Sequence, residues 1–202
     1  PGVHNWQNAA AAYAVTKAVG VQSHAIMACM QSYPGLVHRQ EAVEIVDGVS
    51  FVNDSKATNA NAASKALVCY ENIYWIVGGL SKEGGLEGLE TYLDDVRHAF
   101  LIGQSALEFA KFLDGKVPMT MAENLETATI KAYEMAKNVG EAKSVVLLSP
   151  ACASFDQFSS FEERGYTFKS LVEELPGDHQ DPFEVTGLFP IKRATQLTSE
   201  TL

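Results

Sequence analysis

Two apolar runs, Ile73 to Val77 and Val145 to Leu148, are continuous and bounded by turn-forming residues. That is the pattern of strands buried on both faces of a parallel sheet. Ser50 to Asn53 and residues 98–102 read as further strands, and helical spacing fills 60–68, 105–113, 123–138 and 160–175. Strands alternating with helices imply βαβ units, so the fold class is α/β with a mostly parallel, Rossmann-like sheet. Before this unit, residues 5–19 and 22–32 read as two helices separated by Gly20 and ending ahead of Tyr33-Pro34-Gly35. Between 42 and 53, two β-rich runs flank Asp47-Gly48, a hairpin signal. Beyond Pro176 the periodicity fades, and 177–202 reads as a tail of unknown order. Helix 5–19 is apolar nearly all round, so it needs a partner to bury it, and the chain opens on Pro1 rather than Met. Both features lead to the expectation of a fragment whose N-terminal part is missing.

Three strands run into loops rich in small and polar residues: DSKATNAN at 54–61, GGLSKEGG at 78–85, and SPACASFDQF at 149–158. In an open parallel sheet, ligands sit beyond the carboxyl ends of the strands, where strand order reverses. Thr58, Lys82 and Ser154 each fall at such an end, although they lie up to about a hundred residues apart in sequence. Lys56 and Lys82 bring positive charge and Thr58 and Ser154 bring hydroxyl donors, a set suited to a small carboxylate or a phosphate. Ser159 and Glu162 have capping-box spacing, which would leave free helix N–H groups beside the last loop. The same grammar also occurs in proteins that bind nothing.

Composition narrows the classes. The chain has 202 residues, is 47% hydrophobic and carries a net charge of -10. Without a cluster of Lys and Arg, that charge argues against nucleic acid. No apolar run approaches the roughly 20 residues of a membrane span, and no signal peptide opens the chain, so the expected compartment is the cytoplasm. Three cysteines with no CxxC spacing suggest reduced, mostly buried thiols rather than disulfides or zinc. Neither GxxxxGK[ST] nor GxGxxG occurs, and GxSxG is absent, which disfavours Cys152 or Ser154 as a nucleophile with His38 or His98 as base.

Five segments, HNWQNAAAAYA (4–14), GLVHRQE (35–41), NDSKATN (53–59), the GG-x-x-K run at 78–82 and LLSPACASFDQF (147–158), together resemble the Mur ligase family. The NDSKATN and SPACASFDQF pair is most similar to its members that add D-glutamate to UDP-N-acetylmuramoyl-L-alanine in peptidoglycan synthesis. The resemblance covers roughly residues 1–176. It implies that 1–34 ends a central ATP-binding domain, that 35–176 forms the C-terminal Mur ligase domain, and that the Pro-Gly boundary is a hinge.

The resemblance also implies residue roles. Asn5 and Asn8 would contact the adenine of ATP, where the plain reading makes Asn5 a helix cap. Arg39 would reach the nucleotide and Asp54 the ribose hydroxyls, against a solvated arginine and a turn-capping aspartate. Lys56 would lie near the phosphates. Thr58, Lys82 and Ser154 would hold D-glutamate, with Phe161 beside it, although a lysine in a glycine-rich loop is usually solvated. The Mg²⁺ ligands, the phosphate loop and the UDP-binding domain are expected upstream, leaving this chain with no metal site and no catalytic residue of its own. A monomer is expected. Two alternatives are a folylpolyglutamate-type L-glutamate ligase and a non-catalytic nucleotide-binding module.

Overall fold

The computed structural model describes residues 3–33 and 35–184. Helices α1 (Val3–Ala18) and α2 (Ser23–Ser32) pack on each other, linked by the Tyr13 hydroxyl donating to Ser23 Oγ at 2.9 Å. Little of their surface is covered: Ile26 is buried, while Trp6, Val15 and Val19 are exposed. Pro34 of the expected hinge lies outside the described residues.

The remainder is built on one seven-stranded sheet of order β5-β4-β3-β6-β2-β1-β7. Its first two strands, β1 (Glu41–Val46) and β2 (Val49–Asn53), form the predicted antiparallel hairpin. Asp47 and Gly48 both take positive φ, as a tight primed turn requires. Asp47 is then tied down by three donors: the Asp178 amide at 2.9 Å, and the Tyr133 hydroxyl and Lys137 Nζ at 2.7 Å each. These contacts hold its carboxyl well below the usual range.

From β2 onward the strands are parallel: β3 (Ile73–Gly78), β4 (Val96–Ile102), β5 (Met119–Glu123) and β6 (Val145–Leu148). Trp75, Val77 and Leu147 face one core, with α3 (Ala60–Leu67) and α4 (Ala106–Leu113). Tyr74, Ile76 and Leu148 face the other, with α5 (Leu125–Val139) and α6 (Phe161–Glu173). Burial on both faces explains why these strands read as unbroken apolar runs.

Two strands were not predicted. Strand β5 alternates only partly and sits at the sheet edge, where Met119 and Thr120 are half-buried and Met121 is exposed. Its apolar signal is weak because only part of it meets a core. At the opposite edge β7 (His179–Gln180) pairs antiparallel with β1, so the tail begins inside the sheet; residues 185–202 lie outside the described region. The helix cap at the last loop also differs from the expectation by one residue. Ser160, not Ser159, accepts the N–H of Glu163 at 3.1 Å, and the Glu163 carboxylate reaches back to the Ser159 amide and hydroxyl. Both serines offer a capping hydroxyl, and Ser160 takes the role. Among the described residues no helix is long and apolar enough to cross a membrane.

Candidate functional site

Strands β3 and β6 are neighbours in the sheet. Residues after β3 pack on the α3/α4 side through Leu86 and Leu89, and the chain after β6 first packs Ala151 and Cys152 on that side and then leads to α6 on the other. The region beyond the strand ends at such a switch point is where α/β sheets bind ligands. Three loops meet around it.

The 78–82 loop is held from both flanks. Leu80 and Ala153 form an isolated antiparallel bridge to the 149–154 loop. On the β4 side, Ser105 donates both its amide (2.9 Å) and its hydroxyl (2.8 Å) to the Gly79 carbonyl, and accepts the Ser81 amide at 2.8 Å. This packing requires the paired glycines. A Cβ on Gly78 would lie 2.0 Å from the Ile102 carbonyl oxygen, and one on Gly79 would lie 2.5 Å from that of Ala153. Lys82, just past the clamped part, is exposed, with no partner for its ammonium among the described residues.

The 149–154 loop is fixed from beneath. Fully buried Trp75 donates its indole N–H to the Ser149 carbonyl at 2.8 Å. Ala151 adopts φ 57, a left-handed conformation that costs a non-glycine residue about 1–2 kcal/mol. Cys152 is buried, and burial pushes its thiol up to about 12, so it stays protonated at neutral pH and is a poor nucleophile. The Ser154 hydroxyl is buried and unpartnered.

The 54–59 loop leaves β2 on the other side of β6. Asp54 is buried, accepting the Gln40 amide at 3.1 Å on one oxygen and the Ser149 hydroxyl at 2.8 Å on the other. Burial raises its pKa to about 7, against the pull of those hydrogen bonds and of Arg39. Ser55 donates its hydroxyl to the Phe161 carbonyl at 2.7 Å, and the Lys56 ammonium lies 5.0 Å from the Phe161 ring centroid. Asn59 caps α3 through the Ala62 amide at 2.9 Å, which leaves Asp54 out of the capping role.

Arg39 and Lys56 join this group through His38, which the sequence reading considered only as a hydrolase base. Its carbonyl accepts the Lys56 amide at 3.0 Å, and its buried ring meets Tyr166 edge-on at 4.6 Å and Phe161 at 6.1 Å. Asn53 Nδ2 lies 3.0 Å from His38 Nδ1, Nε2 of the ring is buried without a partner, and burial lowers the pKa of the ring. His38 and Gln40 both take positive φ, so the backbone on either side of Arg39 is strained. Arg39 itself is exposed beside Asp54.

Asp54, Lys56 and Thr58 thus lie on the loop after β2, Lys82 on the loop after β3 and Ser154 on the loop after β6, with Phe161 opening α6 against Ser55 and Lys56, and Arg39 ahead of β1 beside Asp54. Asn5 and Asn8 are exposed on α1. The groups that sequence reasoning missed are His38, Ser105, Ser149 and Arg164. None has a motif of its own, but the arginine at the fourth position of α6 lies on the same helical face as the apolar Phe161 and Phe168, a hint that it points inward. Among the described residues no cluster of three or more His, Cys, Asp or Glu can hold a metal ion.

No family model matches the chain. Curated relatives do. The chain is 54% identical over 175 residues to a UDP-N-acetylmuramoylalanine–D-glutamate ligase of Rhodospirillum rubrum, a match covering 87% of this chain and 37% of that protein. The ligases of the same name from Paramagnetospirillum magneticum and Wolbachia pipientis are 52% and 49% identical, over 86% and 88% of this chain and 38% and 35% of theirs. The chain therefore spans little more than a third of the length of the relatives it matches. Among solved structures, the UDP-N-acetylmuramate–alanine ligase of Thermotoga maritima superposes with a TM-score of 0.56 at 16% identity, covering 86% of this chain and 38% of that one, which shows a shared fold. Identity near one half over nearly nine-tenths of the chain, on a fold shared with another ligase of the group, means that this chain belongs to the Mur ligase family.

Proposed function

We propose that this chain is the part of an ATP-dependent ligase that receives D-glutamate and completes the nucleotide site, with residues 1–34 closing a central ATP-binding domain and 35–176 forming the C-terminal domain. One observation carries the reading most directly. The loop bearing Lys82 and the loop bearing Ser154 are bridged to each other at the switch point, with a free ammonium on one and an unpartnered buried hydroxyl on the other. A carboxylate between them would satisfy both. Thr58 supplies a further hydroxyl, and Phe161 an apolar wall.

On the nucleotide side, each Asp54 oxygen uses one lone pair and keeps a second for a ribose hydroxyl. Arg39 and Lys56 offer exposed positive charge next to it. Asn5 and Asn8 would come to the adenine across the 33–38 segment. The ATP and its Mg²⁺ would be held mainly by residues outside this chain, since no phosphate-cradling loop is present. In the reaction, phosphoryl transfer to the carboxylate of UDP-N-acetylmuramoyl-L-alanine gives an acyl phosphate. The D-glutamate amine attacks its carbonyl carbon, and phosphate leaves as the amide forms. This chain's residues contribute orientation and charge stabilisation of the amine donor.

The test is phosphate release by the full-length protein with D-glutamate, L-glutamate or meso-diaminopimelate as acceptor. Turnover with D-glutamate alone supports the proposal. Preference for L-glutamate with a folate points to the folylpolyglutamate type, and no turnover with any acceptor points to a binding module. The 202-residue chain alone is expected to turn over no ATP.

A further inference from the structure

Among the arginines of the described residues, Arg164 alone is buried, and no carboxylate pairs with it there. A cation removed from water normally needs a counter-charge. Here its direct hydrogen-bond partners are all neutral, and the Asp156 carboxylate acts on it only at longer range. Nε donates to the Ser55 hydroxyl at 3.0 Å, and Nη2 donates to the Ser55 carbonyl at 2.8 Å and to the Cys152 carbonyl at 3.0 Å. Nη1 has no partner. It points toward Gly79, where an added Cβ would lie 3.4 Å away. Desolvation lowers the guanidinium to about 10, so it is still charged at neutral pH.

The planar fork of this side chain bridges the loop after β2 to the loop after β6, two residues before Ser154, and its unpartnered Nη1 faces Gly79 in the loop after β3. A lysine could hold one of these carbonyls but not the fork. We infer that Arg164 is a positioning residue for the acceptor amino acid: it sets Ser154 and Thr58 relative to Lys82, and it leaves a buried positive charge beneath the place where an anionic substrate sits. The inference rests on the reading of that crevice as the D-glutamate pocket.

The experiment uses full-length ligase carrying Arg164→Met, Arg164→Lys or Ser55→Ala, with Lys82→Met alongside. For Arg164→Met the KM for D-glutamate should rise on the order of tenfold to a hundredfold, the loss expected when a binding group is displaced by about an ångström. The KM values for ATP and for the UDP-linked substrate should stay within about twofold of wild type by the same argument, since their contacts lie elsewhere. Arg164→Lys should recover part of the loss, and Ser55→Ala, which removes one neutral partner, should show a smaller shift of the same pattern. Amide exchange at Ala153 and Ser154 should quicken in Arg164→Met, whatever the substrate is. Unchanged exchange there, or an equal rise in all three KM values, overturns the inference. Should Arg164→Met fail to fold, Ser55→Ala and Arg164→Lys decide it by the same readouts. If Lys82→Met leaves D-glutamate kinetics intact, the pocket assignment itself fails, and the exchange result still reports on Arg164.

Discussion

Leu80 and Ala153 exchange two backbone hydrogen bonds, 2.9 Å from the Leu80 amide and 3.0 Å from the Ala153 amide. Seventy-three residues apart in sequence, they make the loops after β3 and β6 move as one unit. Lys82 and Ser154, two residues and one residue beyond the bridge, therefore inherit a common frame, which is the condition for two groups to share one carboxylate.

Lys82→Met in the full-length ligase should raise the KM for D-glutamate by roughly ten- to 150-fold, the equivalent of a lost charge-assisted hydrogen bond of about 1.5 to 3 kcal/mol. The KM for ATP should hold. Steady-state kinetics in both substrates checks this; a mutant defective only toward ATP would return Lys82 to the solvated loop.

Asn8 is exposed on α1 and caps nothing in the structure. Asn8→Ala should therefore leave the melting temperature near wild type and raise the KM for ATP, with D-glutamate kinetics unmoved, because an adenine contact is remote from the amide-forming centre. A drop in melting temperature with normal ATP kinetics would make the residue structural.

Asp54 gives a pH dependence of definite sign. Its folded pKa, about 7, lies above the ordinary aspartate value. Between about pH 4 and 7 the folded state thus holds a proton that the unfolded chain has released, and stability falls as pH rises through this window. Relative to Asp54→Asn, which never ionises, wild type should lose stability on the order of 4 kcal/mol between pH 4 and pH 8. Chemical denaturation of both proteins across that range measures the difference. A difference that is flat with pH, or that grows in favour of wild type, contradicts a buried carboxyl held neutral.

Gly165 leaves room for His38. A Cβ there would stand 2.2 Å from His38 Nδ1, so Gly165→Ala should destabilise the fold by about 1–3 kcal/mol through overpacking. In a His38→Ala background the same change should cost much less. A double-mutant cycle by denaturation reads the coupling directly; additive effects would show that the ring and the glycine do not meet.

Much of this molecule was legible in residue order. The runs at 73–77 and 145–148 announced strands because both of their faces are covered, and Asp47-Gly48 announced its hairpin because few residues accept positive φ at both turn positions. Local patterns register such facts because the backbone and the immediate burial of a side chain are local causes. Lys56, Thr58, Lys82 and Ser154 stood out as candidates for a related reason, since each lies in a loop beyond a strand end, whereas Arg39, Asp54 and Phe161 were marked by the family resemblance.

Other features could not be read that way. Strand β5 and the β1–β7 pairing depend on which edge of the sheet a segment meets, and with two adjacent serines able to cap α6, the local sequence does not choose between them. The buried state of Asp54, with its carboxyl shifted to about 7, exists only because Gln40 and Ser149 close over it. Arg164 is the extreme case. In sequence it is a charged residue inside an amphipathic helix, and such residues usually face water. Only the meeting of Ser55 and Cys152 gives its guanidinium neutral hydrogen-bond partners in the interior, because the two carbonyls and the hydroxyl come from two different strand ends, those of β2 and β6.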